Sequence, residues 1–203
     1  MDGRNTTDIL PILRHRLRSV TAAHLLVDEL FEEQPHARLS AVLLPLFLQD
    51  GEMHLAFIRR AATLRAHGGE IAFPGGSADP DDISLIMTAL REAHEEIGLV
   101  SERVEVLGLL SPVFTLVSNF LILPVVAYLP EGLGELLVQT SEVAELLLLP
   151  LRGLTNPAVA HREVWAREGR SQIVMTYYYE NLRIWGATGR ILSNLLNLLQ
   201  DRP

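Results

Sequence analysis

The sequence predicts an α+β or α/β/α layered domain and argues against a doubly wound sheet. Three observations carry this. Strand-like and helix-like segments are mixed without strict alternation. An Asp-Gly pair lies between two β-rich apolar runs, a strong hairpin signal. The segment after Ser84 repeats its apolar residues at helical rather than strand spacing. The 203 residues, 48% of them hydrophobic, suit one domain with a sizeable core.

Residues Ile9 to Glu33 alternate apolar and charged groups at helical spacing up to Pro35, which predicts one or two N-terminal helices. "LSAVLLPLFLQDGEMHLAFIRR" then reads as two strands around Gln49-Asp50-Gly51-Glu52. "AATLRAHGGEIAFPGG" holds four glycines and reads as a loop with a short strand over 70–73, closed by a Pro-Gly-Gly turn. Ser84 to Ile97 is a helix. "VEVLGLLSPVF" and "NFLILPVVAYL" are two strands joined by a loop, and "SEVAELLLLPL" is a turn of acidic helix running into a strand. Gln172 to Tyr179 is a strand, and Ala187 to Leu199 an amphipathic helix. That last helix either packs on the domain or forms part of a homodimer. Trp185 and Tyr177 to Tyr179 are read as core.

Composition excludes several classes. There is no cysteine, so neither disulfides nor thiolate-bound zinc is available. The seven histidines show no metal-site spacing. The net charge of -8 gives no overall field for nucleic acid, so an anionic substrate needs local basic groups or cations. "MDGRNTTDILPILRHRLRSV" lacks the apolar run of a signal peptide. The greasiest stretch, Phe120 to Leu129, is interrupted by Pro124 and too short to span a membrane. A soluble, cytoplasmic protein is expected.

The helix after Ser84 carries the chemistry. Ile86, Ala89, Leu90, Ala93 and Ile97 share one stripe, while Glu92 and Glu96, four apart, project side by side from its flank. Glu95 lies one step further round. Asp82 or Ser84 can cap the start, and Gly98 the end. Paired carboxylates at this spacing cost roughly 0.2–0.5 kcal/mol, and Glu96 meets the unfavourable end of the helix dipole. A hard cation reverses both effects; Mg²⁺ takes one or two carboxylates and fills its shell with water and phosphate oxygens. Just upstream, Gly75 and Gly76 allow close backbone approach and can aim N–H groups at phosphate.

"Arg91-Glu92-Ala93-His94-Glu95-Glu96-Ile97-Gly98-Leu99" resembles the second half of the Nudix box. The first half carries one extra residue, which puts Asp82 in the early acidic place. Upstream, Arg60, Ala61, Arg65, Gly69 and Phe73-Pro74-Gly75-Gly76 meet every spacing of a second signature, that of the coenzyme A diphosphatase branch. "YYYENLRIWGATGRIL" also looks like that branch's C-terminal segment, so the resemblance runs from about residue 39 to 199. One departure is present: the Leu-Leu-Thr that usually precedes the signature reads Ala56-Phe57-Ile58.

The resemblance implies the Nudix fold, an α/β/α sandwich around a mixed sheet, over residues 37–203 with the C-terminal helix included. Residues 1–36 then form a helical extension. It implies hydrolysis of a nucleoside diphosphate linkage with Mg²⁺ or Mn²⁺. Glu92 and Glu96 are then the leading metal ligands, Glu95 contributes directly or through water, and Asp82 takes the early acidic role. Arg91 orients a carboxylate. Glu142 is either a further ligand or base, or an ordinary helix-start glutamate. Arg60 and Arg65 are assigned to substrate phosphates, with Gly75 and Gly76 beside them. His67 is a loop residue, and His94 has no role. A coenzyme A-like substrate is implied. ADP-ribose, NADH and dinucleoside polyphosphates stand as alternatives, and a non-catalytic Nudix module stands further off because Arg91, Glu92, Glu95 and Glu96 are all present.

Overall fold

The computed structural model describes residues 9–19, 32, 34–167 and 170–200. Helix α1 (Ile9–Arg16) precedes the hairpin β1 (Arg38–Gln49) and β2 (Glu52–Arg60). Asp50 and Gly51 both take positive φ, 51° and 78°, the backbone a two-residue type I′ turn demands. Short strands β3 (Ile71–Ala72) and β4 (Gly75–Ser77) lead into helix α2 (Leu85–Ile97). Strands β5 (Glu105–Leu109), β6 (Val113–Thr115), β7 (Phe120–Leu129) and β8 (Val143–Pro150) follow, then the single-turn α3 (Leu151–Leu154). Strands β9 (Ala160–Arg167), β10 (Arg170–Tyr179) and β11 (Leu182–Ile184) precede the C-terminal helix α4 (Gly186–Gln200).

Strands β1 to β8 form one mixed sheet. β1 sits near its centre, parallel to β7 and antiparallel to β2 and β4. β9, β10 and β11 form a separate antiparallel sheet. Successive residues of each main strand enter opposite cores, as a period of two requires. Leu44 and Leu46 of β1, Leu55 and Phe57 of β2, and Leu147 and Leu149 of β8 meet Leu13 of α1, the buried face of α4, and Tyr177 and Ile184 of the small sheet. Leu43, Ala56, Ile58, Leu123 and Val125 meet Ala89, Ala93 and Ile97 of α2. Both faces being covered, the strands read as nearly continuous apolar runs. The α+β layering predicted from the sequence is what forms.

Four local expectations differ. The Pro-Gly-Gly turn is largely a strand, because Gly75, Gly76 and Ser77 pair with Val42, Ala41 and Ser40 of β1. The "VEVLGLLSPVF" strand is two, β5 and β6, both on β7. The turn of helix expected immediately ahead of β8 is absent: residues 140–142 are a hydrogen-bonded turn, held by bonds from the N–H groups of Glu142 and Val143 to the Gln139 carbonyl. The core assignment holds for Tyr177, and Tyr179 is half-buried against the same core, but it does not hold for Tyr178 or Trp185. Tyr178 is exposed, and Trp185 stacks on Trp165 with ring centroids 4.8 Å apart. The N-terminal helical reading is met by α1 up to Arg16; its continuation over 20–31 lies outside the described residues. Among the described residues no helix is long and apolar enough to cross a membrane.

Candidate active site

Helix α2 is fixed at both ends by its own sequence. The Ser84 hydroxyl accepts from the Met87 N–H, and Gly98 closes the helix at φ 71° with its N–H returned to the Ala93 and His94 carbonyls. Ser84, not Asp82, is therefore the cap. With Ala89, Ala93 and Ile97 in the core, Glu92 and Glu96 face β4.

Glu96 is only 2% exposed. Its Oε2 accepts from the Gly75 N–H at 2.9 Å, and its Oε1 lies 3.7 Å from Nη1 of Arg60. Burial raises its pKa to about 7, against the opposing pull of the Gly75 bond and the Arg60 charge. Glu92 packs on Gly76, where a Cβ would stand 2.5 Å from the carboxylate carbon and both its oxygens. Burial raises the Glu92 pKa too, and Arg91 partly offsets it. The charge of Glu142, in the turn ahead of β8, acts on both carboxylates. Gly75 and Gly76 were expected to offer N–H groups to phosphate. The Gly75 N–H instead holds Glu96, and Gly76 supplies the space that Glu92 occupies.

Arg91 is engaged by its protein neighbours. It gives Nε and Nη2 to the two oxygens of Asp82, each at 3.0 Å, and Nη2 also to the Ser77 carbonyl. Its Nη1 lies 3.0 Å from both Glu92 and Glu95. Asp82 also accepts from the Asp79 N–H and the Thr88 hydroxyl. The Arg91 bond, first among these, holds its pKa at about 2. Both oxygens of Asp82 are thus engaged by Arg91, with Oδ1 accepting that one bond and Oδ2 three. Glu95 stands on the exposed side, 56% open to solvent. Thr88 and the Ser77 carbonyl carry no motif signal and were not foreseen.

Arg91→Lys tests this brace. A lysine is a point charge and cannot span Asp82, Ser77 and Glu92 together. The expected loss in kcat/KM is about 10–100-fold, read by steady-state kinetics. Asp82, with its depressed pKa, contributes stability present above 3.8 and lost as pH falls toward about 2. The variant's acid melting limb should shift upward in pH accordingly.

Arg60 ends β2 at a bulge, where pairing with β8 slips between Arg59 and Arg60; bulges re-aim side chains in this way. Its Nε is buried without a hydrogen-bond partner. Arg65 is exposed on the 61–70 loop, and the structure does not join it to the carboxylates. His67 sits in that loop at φ 57° beside Glu70, and the His94 ring lies against the Leu99 carbonyl.

Among the described residues no three acidic or imidazole side chains stand close enough to enclose a metal alone. A pair of carboxylates with a third acid nearby fits a hard divalent cation whose shell is completed by water and substrate oxygens. The orphaned Arg60 Nε fits an anion arriving on the same side.

The NUDIX domain family model matches residues 37–168. The chain is 40% identical over 163 residues to an uncharacterised Nudix hydrolase, NudL, of Photorhabdus laumondii, covering 80% of this chain and 86% of that protein. It is 41% identical over 158 residues to the NudL of Yersinia pestis, covering 78% of each. Among solved structures, a MutT/nudix family protein from Enterococcus faecalis aligns with a TM-score of 0.51 at 16% identity, over 100% of this chain and 76% of that one. A Nudix hydrolase from Alicyclobacillus acidocaldarius gives 0.50 at 20% identity, over 79% and 91%. At these identities the structural likeness is one of fold. Fold, carboxylate helix and relatives together define a hydrolase. The chain belongs to the Nudix hydrolase family, whose members generally require divalent metal ions.

Proposed function

We propose that the chain hydrolyses the diphosphate of coenzyme A or a derivative, releasing adenosine 3′,5′-bisphosphate and 4′-phosphopantetheine. The observation that carries this reading is the Arg60-Ala61, Arg65, Gly69, Phe73-Pro74-Gly75-Gly76 signature, whose two ends converge on Glu96 through Arg60 and the Gly75 N–H. The departure at Ala56-Phe57-Ile58 lies in the core, all three residues being fully buried in β2. It alters packing rather than a substrate contact, which supports keeping coenzyme A over ADP-ribose, NADH or dinucleoside polyphosphates.

Glu92 and Glu96 would hold Mg²⁺ or Mn²⁺; the bound ion supplies charge neutralisation and a lowered pKa for bound water. Phosphoryl transfer asks the protein mainly for positioning and electrostatics. Arg91, braced by Asp82 and Thr88, keeps Glu92 in place. Arg60 offers free guanidinium donors to the diphosphate, and Arg65 reaches a phosphate from the neighbouring loop. Glu142 takes the proton of the attacking water.

Incubation with Mg²⁺ or Mn²⁺ and a panel of coenzyme A, ADP-ribose, NADH and diadenosine polyphosphates, followed by mass spectrometry, tests this. Coenzyme A should be consumed fastest and yield the two products named. Faster cleavage of another member overturns the coenzyme A assignment while keeping the family chemistry.

A further inference from the structure

Arg60 raises an electrostatic problem that the proposed reaction does not resolve. Its guanidinium faces Glu96 at 3.7 Å, beyond hydrogen-bond reach, and the Arg60 side chain makes no hydrogen bond to the described residues. A buried N–H without an acceptor is costly and uncommon, and here it is the Nε itself that is buried and unpaired. The backbone leaves Arg60 little room to withdraw. Its N–H is bonded to the Glu70 carbonyl, its carbonyl accepts from Gly69, and the next N–H, of Ala61, binds the Glu142 carbonyl at 2.7 Å. One charged side chain thus stands beside the most buried carboxylate of the site.

We propose that Arg60 acts as a resident cation that competes with the divalent metal for Glu96 in the free enzyme and is relieved of that role by the substrate diphosphate. The inference rests on Glu92 and Glu96 being the metal-holding pair. A fixed positive charge a few ångströms from a metal ligand lowers metal affinity by like-charge repulsion, most strongly where the carboxylate is desolvated. A diphosphate oxygen bonded to the open guanidinium donors neutralises that charge and removes the repulsion. Metal and substrate then favour one another's binding, and the coupling is reciprocal by linkage. Arg60 is in this sense a positioning residue that makes metal loading conditional on substrate.

The sign of one measurement separates this from a purely supporting role. Mn²⁺ binding to the substrate-free protein, followed by the electron paramagnetic resonance of free Mn²⁺, is compared in wild type, Arg60→Gln, Arg60→Met and Arg60→Lys. The neutral variants should bind Mn²⁺ about tenfold more tightly, within the usual range of such couplings, and Arg60→Lys, which keeps the charge, should resemble wild type. At saturating Mn²⁺ the KM for coenzyme A should rise at least about tenfold in the neutral variants, with kcat changed less. If Arg60 merely props Glu96, the neutral variants bind Mn²⁺ equally or more weakly, and that result overturns the proposal. Absence of Mn²⁺ binding in wild type and all variants overturns the metal-site reading and the proposal with it. The two neutral replacements guard against one failing to fold, with circular dichroism as the check.

Discussion

Glu96→Gln is expected to cut kcat/KM by about 10²–10³-fold, the scale of removing one preorganised electrostatic group from a site, and yet to melt no lower than the parent. The two halves have one cause. A carboxylate sealed against Gly75 and Arg60 is desolvated, and this lifts its pKa from 4.5 to about 7. A raised acid contributes stability that is whole below 4.5 and is lost as pH climbs through about 7. In EDTA, parent stability should therefore decline between roughly pH 4.5 and 7, and a glutamine of the same size should remove that decline. By pH 8 the variant should be the more stable of the two, while remaining the far weaker catalyst. Thermal melts at pH 5 and pH 8, beside steady-state rates, read both effects. A variant retaining full turnover would falsify the assignment of Glu96.

The second large effect separates two adjacent glycines. At Gly75, φ is 153°, and a Cβ would collide with the Ala41 carbonyl oxygen and with backbone of Val42 in β1. Backbone cannot yield cheaply, so Gly75→Ala should cost about 3 kcal/mol or more, a large part of a typical domain's stability. At Gly76 the obstruction is the carboxylate tip of Glu92, which can swing away. Gly76→Ala should therefore fold with a loss below about 1.5 kcal/mol and still lose activity about 100-fold through misplacement of Glu92. Chemical denaturation against turnover distinguishes them: one variant loses the fold, and the other keeps it and loses the chemistry. Equal behaviour of the pair would contradict the placement of Glu92.

What the sequence revealed and what it hid divide along local and long-range lines. Ser84, Gly98 and the i, i+4 spacing of Glu92 and Glu96 are local signals, and the helix forms as they direct. The Asp50-Gly51 turn is likewise local. The burial of Glu96 was not legible, since a helical wheel puts it on a polar flank. It is covered by β4 and Arg60, which approach only when β1 and β2 are in register. For the same reason "PGG" reads as a turn until β1 is there to pair with it. β9 escaped notice because "AHREVWAR" mixes charge with apolar residues and remains mostly exposed. The role of Asp82 was half visible: its place in the box could be counted, but its engagement by Arg91, Thr88 and Asp79 depends on how the loop folds back.

The parallel pairing of β1 with β7 joins Arg38 to Phe120 and Phe47 to Leu129, segments separated by much of the chain. Loop-closure entropy must be met before such contacts form, so folding dominated by them is slow. During synthesis, the carboxylate helix has emerged while the strand beneath it still lacks its parallel neighbour, and β8 with Glu142 comes later still. A nascent chain therefore displays its full acidic box well before it has a rigid floor, and hydrolytic competence should arrive late, with the sheet rather than with the motif.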